Sequence, residues 1–151
     1  MVEVSVVMPC LDEEKTVGIC VEKAIKVFKE NNIDGEVIVA DNGSTDNSVE
    51  VAKKAGARVV FEKRKGYGSA YLKGLNEAKG EYIVIADSDN TYDFLEIPKF
   101  LKLLMNDHYD FVIGTRLKGK IMPGAMPWLH KYIGNPILTK IFRTVFSANI
   151  T

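Results

Sequence analysis

The sequence predicts an α/β fold, a mostly parallel sheet with helices on both faces, and three observations carry that prediction. Short β-branched runs alternate with segments of helical apolar spacing, which is the signature of βαβ units. Polar, glycine-containing motifs recur where the runs end. The 151-residue length fits one domain with a core of its own.

The first run, Val4 to Met8, is ended by Pro9 and followed by Val17, Val21, Ala24, Ile25 and Phe28 at helical spacing. Val37 to Ala40 precedes a helix expected to start near Asp46, with Thr45 or Asp46 as its cap. Arg58 to Phe61 precedes a helix over roughly Gly68 to Ala78, and Tyr82 to Ala86 is the fourth run. Asp93 and Glu96 have capping-box spacing, yet Pro98 would then lie too deep, so a loose turn over 91 to 95 and a slightly later helix around Ile97, Leu101 and Leu104 are expected. Phe111 to Thr115 reads as a further strand. After Leu117 the character changes: residues 118 to 127 read as a mobile loop. Asn135-Pro136 then opens a helix with Ile137, Leu138, Ile141, Phe142 and Val145 on one side.

The bulk properties narrow the function classes. Lys plus Arg and Asp plus Glu both number 20, which provides no electrostatic argument for a nucleic-acid partner. Cys10 and Cys20 suit small buried residues in a reducing cytosol, and no Cys/His spacing reads as a zinc site. The N-terminus lacks the basic and apolar regions of a signal peptide, and no apolar stretch approaches the roughly 20 residues of a membrane span. The expectation is a cytoplasmic protein, soluble or at the cytoplasmic membrane face, with a homo-oligomer left open.

The polar motifs cluster where ligands bind in open parallel sheets, beyond the carboxyl ends of the strands. Asp87-Ser88-Asp89 places two carboxylates one residue apart on a turn, able to converge on Mg²⁺ or Mn²⁺ that shares its coordination with phosphates; turn and cap chemistry is the plain alternative. In Asp41-Asn42-Gly43-Ser44-Thr45-Asp46, Asp41 could accept hydrogen bonds from a base or ribose and Gly43 would let backbone approach a ligand. An ordinary capped turn explains Ser44 to Asp46 as well. Lys63-Arg64-Lys65-Gly66-Tyr67-Gly68 joins a basic cluster to a helix entrance, an anion site or a solvated basic patch. It is neither a dinucleotide fingerprint nor a Walker A loop. Asp12-Glu13-Glu14 either contact a nucleotide or charge the first turn of a helix. Arg116 is a phosphate ligand or a surface ion pair, and His108 and His130 read as solvated. Met122, Met126, Trp128, Leu129 and Ile133 among Lys118, Lys120, His130 and Lys131 suit a lipid interface or a packed surface.

Together these motifs resemble family 2 glycosyltransferases of the GT-A fold, most closely the dolichyl- or polyprenyl-phosphate sugar synthases. The matches are Val6 to Pro9 with Leu11 to Glu14, Asp41 to Asp46, Lys65 to Gly68, Asp87 to Asp89, and Gly114 to Arg116, in family order over nearly the whole chain. The resemblance implies a nucleotide-sugar donor, UDP-glucose or GDP-mannose, with Pro9, Glu13 and Asp41 around base and ribose and Asp87 and Asp89 on Mg²⁺ or Mn²⁺. Leu11, Gly43, Lys65, Gly66, Gly68 and Ser88 complete the substrate-binding candidates. Asp89 and Arg116, near phosphate, are the catalytic candidates. Relatives often carry Gln where this chain has Thr91, and they continue past Thr151 toward an acceptor site. Residues 1–117 are therefore expected as the donor-binding core, and 118–151 as the truncated start of an acceptor region in the same domain, touching a membrane through 118–146. The implied reaction inverts the sugar as a lipid phosphate attacks, which needs no general base. Transfer to a sugar hydroxyl and a non-catalytic nucleotide-sugar-binding fragment are the alternatives.

Overall fold

The computed structural model describes residues 2–107, 109–114 and 127–146. The chain divides into two compact units, one ending at Asp110 and the other beginning at Phe111.

In the first unit the strands are β1 (Val4–Cys10), β2 (Gly35–Asp41), β3 (Arg58–Phe61) and β4 (Tyr82–Ile85). They form one sheet in the order β3-β2-β1-β4, and every pair is parallel. The helices are α1 (Val17–Asn31), α2 (Ser48–Lys54), α3 (Tyr67–Glu77) and α4 (Ile97–Asp107). All seven residues of β1 are buried, as a central strand covered on both faces requires. Val4, Val6 and Met8 pack with Val37 and Val39 against Val17, Cys20, Val21 and Ala24 of α1, Ala52 of α2, and Ile97 and Leu101 of α4. On the opposite face α3 lies so close that a Cβ on Gly74 would stand 2.4 Å from a Val7 methyl, which explains glycine in mid-helix. Cys10 and Cys20 are both buried free thiols.

Several boundaries differ from expectation for identifiable reasons. β1 does not stop at Pro9 but continues to Cys10, paired with β2 through Asp41. Pairing with β4 ends at Val7–Ile85, so the N–H that Pro9 lacks would have faced a side with no ladder left to join. The second helix begins at Ser48 rather than near Asp46, because Asp46 stays outside it and accepts the Ser48 N–H at 2.9 Å. Before α4, Phe94–Glu96 forms a 3₁₀ turn capped by Asp93, whose Oδ1 accepts the Leu95 N–H at 3.0 Å. Pro98 thereby falls in the first turn of α4, where its missing donor costs nothing.

The pole of the sheet opposite the motif-bearing loops is held by a polar network. The Ser5 hydroxyl donates to Glu36 Oε1 at 2.8 Å and accepts the Gly80 N–H at 2.8 Å. Arg58 Nη2 donates to Glu36 Oε2 at 2.8 Å and to the Glu77 carbonyl at 2.6 Å. Burial works to raise the Glu36 pKa, but Arg58, the Lys79 N–H and the Ser5 hydroxyl outweigh it and hold the carboxyl below its ordinary value. A carboxyl depressed on folding contributes stability above its unfolded pKa of about 4.3 and loses it as pH falls through the lower folded value. Glu36→Gln should therefore cost about 1–3 kcal/mol at neutral pH. The gap to the native chain should close in acid below the ordinary carboxylate range, as urea unfolding at the two pH values would show.

In the second unit, Phe111 to Gly114 form no strand; Phe111 and Ile113 are 69% and 74% exposed. An apolar β-branched run becomes a strand only against a paired neighbour, and these residues take no part in a ladder among the described residues. Thr115, Arg116 and the loop expected through residue 126 lie outside the described residues, as does His108. Residues 128–146 are helical, with a π-type turn at His130–Gly134 leading into α5 (Asn135–Phe146). Asn135-Pro136 was expected to start this helix, but the helix is already running at Trp128. Pro136 can neither donate to the preceding turn nor tolerate its carbonyl, and the wider turn, in which the Asn135 N–H reaches the His130 carbonyl, accommodates it. Ile137, Leu138, Ile141, Phe142 and Val145 are all exposed, and so is His130. Among the described residues no helix is long and apolar enough to cross a membrane.

Candidate functional site

The strand order creates the site. From β1 the chain winds outward to β2 and β3, then crosses back to place β4 on the other side of β1. The order thus reverses between β1 and β4, and the carboxyl ends of the strands at such a reversal are where open α/β sheets bind ligands. A cleft of about 340 Å³ opens there. Its floor is tied by Ser88, which is buried and donates its hydroxyl to the Pro9 carbonyl at 2.7 Å.

The β1–α1 and β2–α2 loops interlock beside it. The Asp12 N–H donates to Ser44 Oγ at 3.0 Å while Asp12 Oδ1 accepts the Thr45 N–H at 2.7 Å. The Glu13 N–H donates to Ser48 Oγ at 2.7 Å, and the Glu14 N–H to Asp46 Oδ2 at 3.0 Å. Asp12 adopts φ 58, a left-handed conformation that the surrounding bonds over-determine. The acidic triplet is thus mainly a loop brace. Glu13 alone of the three lines the cleft, its carboxylate accepting the Thr16 hydroxyl at 2.7 Å. The hydroxyl of Ser48 on Asp46 is the largest influence holding that carboxyl below its ordinary range.

Asp41 is buried and turns inward, accepting the Gly43 N–H at 3.0 Å and the Ser44 N–H at 3.2 Å. It closes its own loop and does not line the cleft. Its neighbour Asn42, 5% exposed, reaches across to the β3–α3 loop. Asn42 Nδ2 donates to the Glu62 and Arg64 carbonyls at 3.0 and 2.9 Å, and Oδ1 accepts the Gly66 N–H at 2.8 Å. Lys65 Nζ donates to the Asn42 carbonyl at 2.9 Å. Gly43, at φ 90, leaves room for that ammonium: a Cβ there would stand 2.6 Å from Nζ. The loop that carries the cleft's cation is therefore clamped by one asparagine.

The same cleft is lined by the two carboxylates. Asp87 is half-buried and Oδ1 accepts two phenol hydroxyls, from Tyr67 at 2.6 Å and Tyr71 at 3.1 Å. Burial, reinforced by these contacts, pushes the Tyr71 hydroxyl far up, so it stays protonated and donates. Asp89 is exposed, with Oδ1 on the Thr91 N–H at 2.8 Å. Two oxygen-only ligands, each with donor capacity left, fit a hard divalent cation whose remaining positions belong to phosphates or water. No cluster of three or more His, Cys, Asp or Glu forms among the described residues.

Of the expected site residues, Pro9, Leu11, Glu13, Lys65, Gly66, Asp87, Ser88 and Asp89 line this one cleft. Asp41 and Gly43 support it from behind. Gly68 is exposed in the first turn of α3 and open on its Cβ side, and Arg116 lies outside the described residues. Cys10, Asn42, Tyr67 and Ala70 also line it, although the sequence did not single them out as site residues. Asn42 stood within a recognised motif, but its partners are 20 to 24 residues away and no local pattern marks them.

A parallel α/β sheet with a carboxylate pair and a lysine lining one cleft beyond its strand ends places the chain among the open-sheet α/β proteins that bind ligands at that position. Sequence comparison narrows that class. The chain belongs to glycosyl transferase family 2, which matches residues 5–149. It is 44% identical over 147 residues to the low-salt glycan biosynthesis hexosyltransferase Agl6 of Haloferax volcanii, covering 97% of this chain and 35% of Agl6. It is 34% identical over 151 residues to a dolichyl-phosphate hexose transferase of the same organism, covering 98% of this chain and 61% of that protein. Among solved structures, glucosyl-3-phosphoglycerate synthase of Mycobacterium tuberculosis aligns with 69% of this chain and 41% of its own, at 33% identity and TM-score 0.60. A complex of that enzyme with Mn²⁺, UDP-glucose and phosphoglyceric acid aligns at 32% identity and TM-score 0.60, over 69% of this chain and 39% of its own. The fold is the GT-A type of these neighbours, and the chain spans less than two thirds of each of these relatives.

Proposed function

We propose that this chain forms the donor-binding part of a glycosyltransferase that moves a hexose from a nucleoside diphosphate sugar to a polyprenyl or dolichyl phosphate, with inversion. One observation carries the reading: Asp87, Asp89 and Lys65 meet in a single cleft at the sheet's switch point. That combination suits a diphosphate together with its cation. Similarity to the dolichyl-phosphate hexose transferase supports the lipid acceptor.

Asp87 and Asp89 would hold Mg²⁺ or Mn²⁺, which supplies neutralisation of the charge that develops on the departing diphosphate. Lys65, fixed by the Asn42 carbonyl, would add a cation to the same cleft. Pro9, Leu11 and Glu13 form the wall available to base and ribose. An acceptor phosphate oxygen attacks the anomeric carbon as the bond to the diphosphate oxygen breaks, and the electron pair leaves with the nucleoside diphosphate. The attacking group is already an anion, so no side chain needs to remove a proton. Arg116 is the further candidate for binding phosphate.

The acceptor's membrane also has a match in the charge distribution. The balanced total conceals a division: all 20 acidic residues precede Phe111, whereas residues 111–151 carry Arg116, Lys118, Lys120, Lys131, Lys140 and Arg143 and no acid. With the exposed apolar side chains of α5, that excess suits an anionic lipid surface at the cytoplasmic face, reached through 118–146 as the start of an acceptor region. Incubating the chain with Mn²⁺, dolichyl phosphate in vesicles and radiolabelled UDP-glucose or GDP-mannose should move label into the organic phase. Donor binding without that transfer would overturn the lipid-phosphate reading and leave a nucleotide-sugar-binding module.

A further inference from the structure

We infer that Tyr67 and Tyr71 are positioning residues that set the orientation of Asp87 for cation binding, an inference that rests on the donor-site reading above. The two tyrosines are four apart on α3 and so share a helix face. Their rings meet edge to face, with centroids 4.9 Å apart and planes at 81°, which fixes each against the other. Both hydroxyls then converge on the same carboxylate oxygen, Oδ1 of Asp87. Among the described residues Oδ2 accepts no hydrogen bond.

A carboxylate on a turn rotates broadly about its last torsion. Two donors on one oxygen remove that freedom and decide which oxygen is left for a cation. Packing alone does not explain the pair, because Tyr67 is 62% exposed and so gains little from burial. What holds this ring in place is its hydroxyl on Asp87 and its edge on Tyr71. The arrangement also joins the basic loop ending at Gly66 to the carboxylate turn after β4, so the two sides of the cleft are set by one helix end.

The decisive comparison is the native chain against Tyr71→Phe and the Tyr67→Phe/Tyr71→Phe double variant, which keep the rings and lose only the hydroxyls. Three quantities are read: free Mn²⁺ by electron paramagnetic resonance at saturating UDP, UDP affinity in EDTA, and melting temperature. Ligands that orient a metal-binding group typically change metal affinity by about 10- to 100-fold. Both variants should weaken Mn²⁺ binding, the double one by about that factor, and Tyr71→Phe, at a position that does not line the cleft, should do so with metal-free UDP affinity and melting temperature unchanged. Native Mn²⁺ affinity in the double variant would overturn the inference. So would a parallel loss of metal-free UDP binding and melting temperature in Tyr71→Phe, the mark of a merely structural pair. If the native chain itself binds neither UDP nor Mn²⁺, the donor-site reading falls and this inference with it, a result distinct from the other two.

Discussion

Asp89→Asn should bring UDP affinity measured with Mn²⁺ down to its value in EDTA, and should lower turnover by at least 10²- to 10³-fold, the loss typical of removing one element of charge stabilisation at a leaving group. The residue has little structural employment. It is exposed and, among the described residues, its carboxylate accepts only the Thr91 N–H, a bond that the Asn carbonyl can keep. Stability should therefore stay within about 0.5 kcal/mol of the native chain. The combination of an intact melting temperature with lost metal dependence would separate a cation ligand from a turn-forming aspartate. Asp87 is a less clean test, because removing its carboxylate also strands the Tyr67 and Tyr71 hydroxyls.

Asn42→Ala should have the largest effect on stability of any single change in the cleft, about 2–4 kcal/mol, since three partly buried hydrogen bonds to backbone groups are lost and two carbonyls and one N–H are left without them. The loss would fall on donor binding too. Without the clamp, Glu62 keeps its N–H on the Asp41 carbonyl but the Arg64 to Gly66 segment is loosened from β2, and Lys65 loses a fixed position over Gly43. Asn42→Asp retains the acceptor for Gly66 but points a charge at two carbonyls, so it should rescue little. Urea unfolding and donor titration on the same samples check both halves; a variant of native stability would show that the clamp is not what holds the loop.

The parts that were legible in the sequence are those encoded locally. The buried runs of β1 and β2 and the apolar stripe of α1 are dictated by periodicity, and the placing of polar motifs at strand ends marked the pole of the sheet where the cleft opens. What escaped depends on partners far along the chain. Pro9 looked like a strand terminator because its unpaired side is created by the short register of β4. Pro136 looked like a helix start because a π-type turn has no sequence signature comparable to an N-cap. The aspartate pair was visible, yet the tyrosines that grip Asp87 come from 16 and 20 residues earlier and read only as part of a glycine-rich entrance. Phe111 to Ile113 have strand composition without a strand partner among the described residues, and the balanced net charge concealed its own uneven distribution.

The central claim is that Asp87 and Asp89 make the cleft a metal-dependent site for a nucleoside diphosphate sugar. Calorimetric titration of UDP-glucose and of GDP-mannose into the folded chain, first with Mn²⁺ and then with EDTA, tests it most directly. One donor should bind with Mn²⁺, and EDTA should abolish most of the heat. No binding of either donor, or binding equally strong in EDTA and in Asp89→Asn, would contradict it.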